Sequence, residues 1–252
     1  MSREDRRLGG RQGAYHRYAE VYDRVWKAAP HHRFVDLYLE AAKLAGVAVH
    51  RVVDAACGTG TAALELARRG YRVTAFDLSG AMVSRARDKC LEAGLGDLHL
   101  LVGDLRAVPL ADGCADLVTV LNASINYLLD PEELVGAFGQ LRRLVGERGA
   151  VVFEPLSARF LYDGYEPNRH LTDGDFRLDA SYELQDDLLV ERIRWRVEGV
   201  EATECYRQRY YDDARLKSLL AAAGLTVADH LPMYPAIPAE PARGRTLWIA
   251  VP

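Results

Sequence analysis

The sequence predicts an α/β fold: a doubly wound, mostly parallel sheet with an antiparallel β lid inserted late in the chain. Two observations predict it. Short apolar strands alternate with amphipathic helices from Arg51 to Glu154, and a βαβα order builds a parallel sheet with helices on both faces. Over residues 157–212 the buried-strand runs give way to Tyr, Arg and acids, and Leu188–Val197 alternates like an antiparallel strand.

Residues 1–13 are charged and Gly-rich, without apolar period. From Ala14 onward Tyr15, Tyr18, Tyr22, Val25 and Trp26 recur at helical steps, which predicts an aromatic-faced helix of about three turns. A helix from His31 to Leu44 follows, then a buried strand Arg51–Ala56, a helix Thr61–Arg69, a strand Arg72–Phe76 and a helix Ala81–Ala93. Strands are predicted at His99–Val102, Asp116–Leu121 and Ala150–Glu154, with a helix opened by Asp130-Pro131 and closed near Gly146. After the lid come a helix Asp212–Ala223 capped by Gly224, a strand Thr226–His230, a loop with four prolines from Pro232 to Pro241, and a last strand Thr246–Val251. The organisation read from this is an N-terminal helical cap (1–45), a core (46–156 and 213–252) and a substrate lid (157–212).

The composition narrows the function classes. The 252 residues hold 32 Lys+Arg against 36 Asp+Glu, and this −4 balance gives no general attraction to phosphate backbones or anionic lipid, so neither nucleic acid nor membrane is expected as a partner. The lid carries 8 Arg against 13 acids, so the acidity is concentrated there. Cys57, Cys90, Cys114 and Cys205 are scattered, with neither zinc nor dithiol spacing; no metal is expected, and a reducing cytoplasm suits them. The N-terminus has no apolar stretch of the kind a secretory signal requires.

The chemistry concentrates at Val52-Val53-Asp54-Ala55-Ala56-Cys57-Gly58-Thr59-Gly60-Thr61, a strand running through a glycine turn into a helix. Gly58 and Gly60 let a ligand approach the main chain, and the helix start offers free N–H groups. Asp77 ends the next strand, 17 residues after Gly60, where a carboxylate accepts from two ribose hydroxyls. Gly103-Asp104-Leu105 ends the strand after that and suits an adenine, the carboxylate accepting from the exocyclic amine. A dinucleotide turn needs a third glycine, where this chain has Ala63, which weakens a nicotinamide-dependent oxidoreductase as a reading. Asp54 is read as holding the turn, Cys57 as a small buried residue, and Met82 as either an adenine neighbour or core filler.

These motifs, Asp54 to Gly60 with Asp77 and Gly103-Asp104 in register, resemble those of the class I S-adenosylmethionine-dependent methyltransferases. The resemblance covers residues 14–252 and departs at Ala56, where many members have Gly. It implies a Rossmann-like, seven-stranded sheet whose last strand is antiparallel, with S-adenosyl-L-methionine as cofactor. The cofactor residues it implies are Tyr22, Arg33, Ala56, Gly58, Gly60, Asp77, Leu78, Met82, Gly103, Asp104, Leu105 and Leu121, although Arg33 is equally at home as a solvated helix residue.

The acceptor faces the segment after the fourth strand, Leu121 to Leu128. That segment is similar to its counterpart in small-molecule N-methyltransferases acting on glycine, amino sugars and other natural-product amines, including those of antibiotic biosynthesis. Ser124 and Tyr127 match it, and Tyr22-Asp23 match that group's entry helix; Tyr22, Ser124 and Tyr127 are therefore the expected catalytic residues. Most of the 13 tyrosines fall in the cap regions, where aromatic faces attract a sulfonium or ammonium group. His16, His31, His32 and His170 are candidate bases that each also suit the surface. An amine can lose its proton to water before attack, whereas an alcohol or phenol asks for a base or metal. The expected function is methyl transfer to an amine of a small molecule, with O-methylation as the alternative and a nicotinamide oxidoreductase as the remote one. The reading leaves room for a homo-oligomer.

Overall fold

The protein is described from a computed structural model over residues 15–95, 98–156, 168–233 and 244–252. Its main sheet has seven strands in the order β10-β11-β5-β4-β1-β2-β3. These are β1 (Arg51–Ala55), β2 (Arg72–Asp77), β3 (His99–Val102), β4 (Leu117–Val120), β5 (Ala150–Phe153), β10 (Thr226–Pro232) and β11 (Thr246–Val251). β1 pairs in parallel with both β2 and β4, whereas β11 runs antiparallel to β5 and β10. The expected doubly wound sheet with a reversed last strand is therefore present. A second sheet of four antiparallel strands, β6 to β9 (Asn168–Asp173, Phe176–Gln185, Leu188–Val197, Val200–Arg209), stands apart from it.

The helices form where local chemistry permits. α5 (Pro131–Val145) opens on Asp130, whose carboxylate accepts from the Glu132 N–H at 2.9 Å, and stops at Gly146. Ser79 caps α4 (Gly80–Glu92) and Asp212 caps α6 (Asp213–Ala222) in the same manner. α2 (His31–Leu44) and α3 (Thr61–Arg68) cover one face of the sheet through Val35, Ala41, Ala63 and Leu66, all buried against Val52, Val73 and Leu117. α5 and α6 cover the other face around Phe138, Leu141, Val118 and Phe153. No described helix is long and apolar enough to cross a membrane.

The N-terminal segment differs from the periodic reading. In place of a three-turn helix there is a 3-10 turn at Tyr18–Glu20 and a four-residue helix α1 (Tyr22–Val25). The backbone reverses at Tyr15, with φ +59°, and the N–H groups of Arg17 and Tyr18 donate to Glu204 of β9 at 2.8 and 3.2 Å. Glu204 thus serves two first-turn N–H groups, and the turns that follow close largely through i to i−3 bonds such as Glu20 to Arg17 and Val21 to Tyr18, which give short pieces in place of a continuous helix. Tyr18, Val21 and Val25 share a core with Phe176, Leu178, Ile193 and Trp195 on one face of the four-stranded sheet. Of the stretch read as a cap, Tyr15–Trp26 packs on the lid, while α2 belongs to the main core. Tyr162, Tyr165, Ala14 and the proline loop from Pro235 to Pro241 lie outside the described residues.

Candidate active site

The strand order reverses between β1 and β4, so the chain leaves their carboxyl ends in opposite directions and opens a crevice. A cavity of about 560 Å³ lies there, and it reaches from the ends of β1, β2 and β3 to the underside of the lid. Tyr22, Ala56, Gly58, Asp77, Leu78, Met82, Gly103, Asp104, Leu105, Leu121, Ser124 and Tyr127 all line it. Arg33 and Gly60 are not among its lining residues.

At the glycine turn the main chain and one carboxylate lock together. The Gly58 N–H donates to Asp77 Oδ2 and the Ser79 N–H to Asp77 Oδ1, each at 2.8 Å, while the Gly103 N–H donates to the Asp77 carbonyl at 2.9 Å. Three strand ends are thereby held in register around Asp77. Burial pushes its carboxyl up, and the two backbone N–H groups pull it back. Gly60 starts α3 with φ +72°, and a Cβ there would stand 2.8 Å from Ala86 Cβ. The left-handed φ and the contact with Ala86 both call for glycine at this position. Ala56 adopts φ +55°, a left-handed conformation that costs an L-residue about 1–2 kcal/mol.

Asp54 is 2% exposed. Its Oδ1 accepts from Thr119 Oγ1 at 2.8 Å across the β1–β4 pair, and among the described residues its buried Oδ2 has no hydrogen-bond partner. Desolvation raises this carboxyl to about 7, against the opposing Thr119 bond. It lines the cavity, and its Thr119 bond ties β1 to β4. On the far side Asp104 is clamped by Arg106, whose Nε stands 2.9 and 3.1 Å from its two oxygens and whose Nη1 reaches Glu133 at 3.3 Å. Sequence reasoning missed Arg106, although its i+2 spacing from Asp104 was a local signal.

The end of the cavity under the four-stranded sheet is aromatic. Tyr15 stacks on Tyr206 with centroids 4.3 Å apart and planes 10° apart, and Tyr127 stands edge-on to both at 5.9 and 6.4 Å. The hydroxyls of Tyr15 and Tyr127 hydrogen-bond to each other, and burial raises both phenols well above their ordinary range. Tyr22 packs against the turn, 3.9 Å from where a Gly58 Cβ would stand, and its phenol is likewise raised by burial. The Ser124 hydroxyl donates to the Leu121 carbonyl at 2.6 Å and so shapes the turn, its lone pairs left to accept.

Two links the sequence did not suggest hold the N-terminal segment. Glu204 binds it to β9, and Asp23 accepts from Thr59 Oγ1 at 2.6 Å and from Lys89 Nζ at 3.0 Å, binding it to the glycine turn. A third network is buried behind the site: the Arg245 guanidinium donates to both oxygens of Glu154 and, at 2.7 Å, to Asn122 Oδ1. Asn122 and Ala123 carry φ +52° and +54°, and this network holds the chain in that turn.

Of the histidines, His31 alone among the described residues lines the cavity; its Nε2 sits 3.1 Å from the Trp26 carbonyl, and burial lowers its pKa. His16 and His32 are exposed, and His170 pairs with Asp179 on the outside of the lid. Cys57 lines the cavity as a thiol whose pKa burial raises.

Residues 52–149 match the model of a methyltransferase domain. The methyltransferase relative YqeM of Bacillus subtilis is 30% identical over 140 residues, 56% of this chain, which spans about half (54%) of that protein's length. A malonyl-[acyl-carrier protein] O-methyltransferase of Pseudescherichia vulneris is 32% identical over 190 residues, covering 75% of this chain and 69% of its own. Among solved structures, a S-adenosylmethionine-dependent methyltransferase of Clostridium acetobutylicum superposes with a TM-score of 0.79 at 22% identity, covering 94% of this chain and 98% of its own. CalS10, an amino pentose methyltransferase of Micromonospora echinaspora, does so at 0.73 and 21% identity, with 92% and 96% covered. A glycine turn locked to a strand-end aspartate, on this strand order and with these relatives, places the chain in the S-adenosylmethionine-dependent methyltransferases.

Proposed function

We propose that the chain methylates an amine nitrogen of a small molecule. S-adenosylmethionine supplies an activated methyl group on a sulfonium, and the transfer is an in-line displacement in which positioning and exclusion of water dominate. The residues present fit that cofactor. Asp77 retains lone pairs for ribose hydroxyls, Leu78 and Met82 flank a plane beside Asp104 and Leu105, and the unpaired Asp54 oxygen suits the ammonium of the methionine part. Gly58 and Ala56 leave the main chain open, with Gly103 and Leu121 at the edges. In this reading Gly60 and Arg33 act from outside the cavity.

The observation that carries the amine reading is the ring wall of Tyr15, Tyr127 and Tyr206 at the acceptor end. Aromatic faces favour a cation or a developing ammonium, and the phenols there are held protonated, so they orient by hydrogen bonding and do not act as bases. Tyr22, Ser124 and Tyr127 are the orienting groups. CalS10 supports this reading as a neighbour in fold. The O-methyltransferase of Pseudescherichia vulneris favours the second reading, a hydroxyl acceptor. Incubation of the full chain with isotopically labelled methyl donor against parallel amine and phenol panels, read by mass spectrometry, separates the two. Label is expected on amine nitrogen; label confined to oxygen would reverse the assignment.

A further inference from the structure

The inner face of β8 reads Leu189, Glu191, Ile193, Trp195, and the three apolar members are 1–3% exposed. Glu191 is a single acid in an apolar row. In the lid register it lies directly between Tyr182 of β7 and Tyr206 of β9, so all three side chains share one face. Tyr206 lines the cavity, together with Tyr15 and Tyr127 against which it packs. Glu191 thus stands directly behind the ring wall. We propose that Glu191 sets the charge of the acceptor end, so that the tyrosine-walled part of the cavity selects a cationic acceptor over a neutral one of the same shape. This rests on the amine reading and deepens it.

The surrounding groups leave that charge available to the cavity. Glu204, the neighbouring acid on the same face, is occupied by the Tyr206 hydroxyl and the Arg17 and Tyr18 N–H groups. Glu191 accepts from the Tyr182 hydroxyl and is drawn on by Arg169 of β6, whose guanidinium lies over Trp26 at 5.7 Å. From the N-terminal segment and the turn after β4, Tyr15, Tyr18 and Tyr127 face it, and its charge raises the pKa of each. Desolvation lifts the Glu191 carboxyl to about 7. A cation at the ring wall favours its ionised form, so selection strengthens as pH rises through that value.

The test uses the full chain saturated with S-adenosylhomocysteine and two probes of one shape, choline and 3,3-dimethylbutan-1-ol, titrated by ligand NMR near pH 8. Choline is expected to bind at least about tenfold more tightly than the alcohol. Glu191→Gln should cut that preference severalfold while S-adenosylhomocysteine affinity and melting temperature hold, and Glu201→Gln on the outer face should keep it whole. Moving to about pH 6 should weaken choline severalfold in the native chain and not in Glu191→Gln. Equal binding of the two probes, no binding of either, or an undiminished preference in Glu191→Gln would overturn the proposal. The pH dependence of choline binding in the native chain tests the carboxylate without any variant having to fold. The amine reading stands or falls separately, on the acceptor panels.

Discussion

The two ends of the cavity are built by different means. At the ends of β1, β2 and β3 the shape is held by main chain, with N–H groups of Gly58, Ser79 and Gly103 converging on Asp77. Under the lid it is held by side chains, rings from the N-terminal segment, the turn after β4 and β9 packing on one another. A backbone-built end tolerates few shapes of ligand, because moving one strand end moves all three. A side-chain-built end can be re-cut residue by residue without disturbing the sheet. The family's common cofactor and varied acceptors correspond to that division.

The contrast can be broken first at Asp77. Asp77→Ala removes the acceptor of two charge-assisted bonds, each worth about 1.5–3 kcal/mol, and should weaken S-adenosylhomocysteine binding by at least about 100-fold in calorimetry. Asp54 offers the next largest effect. Its folded pKa of about 7 lies above the unfolded value near 3.8, so its contribution is present at low pH and lost as pH rises toward 7. Asp54→Asn should flatten the fall in stability of the cofactor-free chain between about pH 4 and 7, by a few kcal/mol in denaturant titrations, and weaken cofactor binding.

Gly60→Ala meets both a left-handed φ and the Ala86 methyl, and should cost about 2 kcal/mol in thermal unfolding. Adding Ala86→Gly should recover the steric part only. At the side-chain end Tyr127→Phe leaves the Tyr15 hydroxyl without its partner, and turnover should fall about tenfold with S-adenosylhomocysteine affinity within about twofold. A comparable loss of cofactor affinity would mean that the two ends are not separable. Smallest of all, Ala56→Gly relieves left-handed strain and should raise stability by up to about 1 kcal/mol, seen as a higher melting temperature.

What could be read from the sequence follows the same division. Strands, caps and the Asp54 to Gly60 turn are local patterns, and β3, β8, β11 and α2 begin and end where the periodicity places them. Asp77 and Asp104 were legible because Asp77 ends β2 and Asp104 follows β3 by two residues. Glu204 holding Arg17 and Tyr18, and Arg245 joining Glu154 and Asn122, bridge 91 to 187 positions and leave no periodic trace. The N-terminal helix was over-read because its aromatic spacing is real, whereas the backbone breaks into a 3-10 turn and a four-residue helix that pack on the four-stranded sheet. Glu191 had a signal, an acid interrupting the inner row of an alternating strand, that composition of the lid as a whole concealed.

The N-terminal segment is fastened at both ends of the cavity, to Thr59 and Lys89 by Asp23 and to β9 by Glu204. In the proposed reading it is a tie rod between two binding events. A ligand that steadies one anchorage lowers the ordering cost at the other, and linkage makes the benefit mutual. In that reading the coupling between acceptor and cofactor, not either affinity by itself, is one free energy measured from two sides.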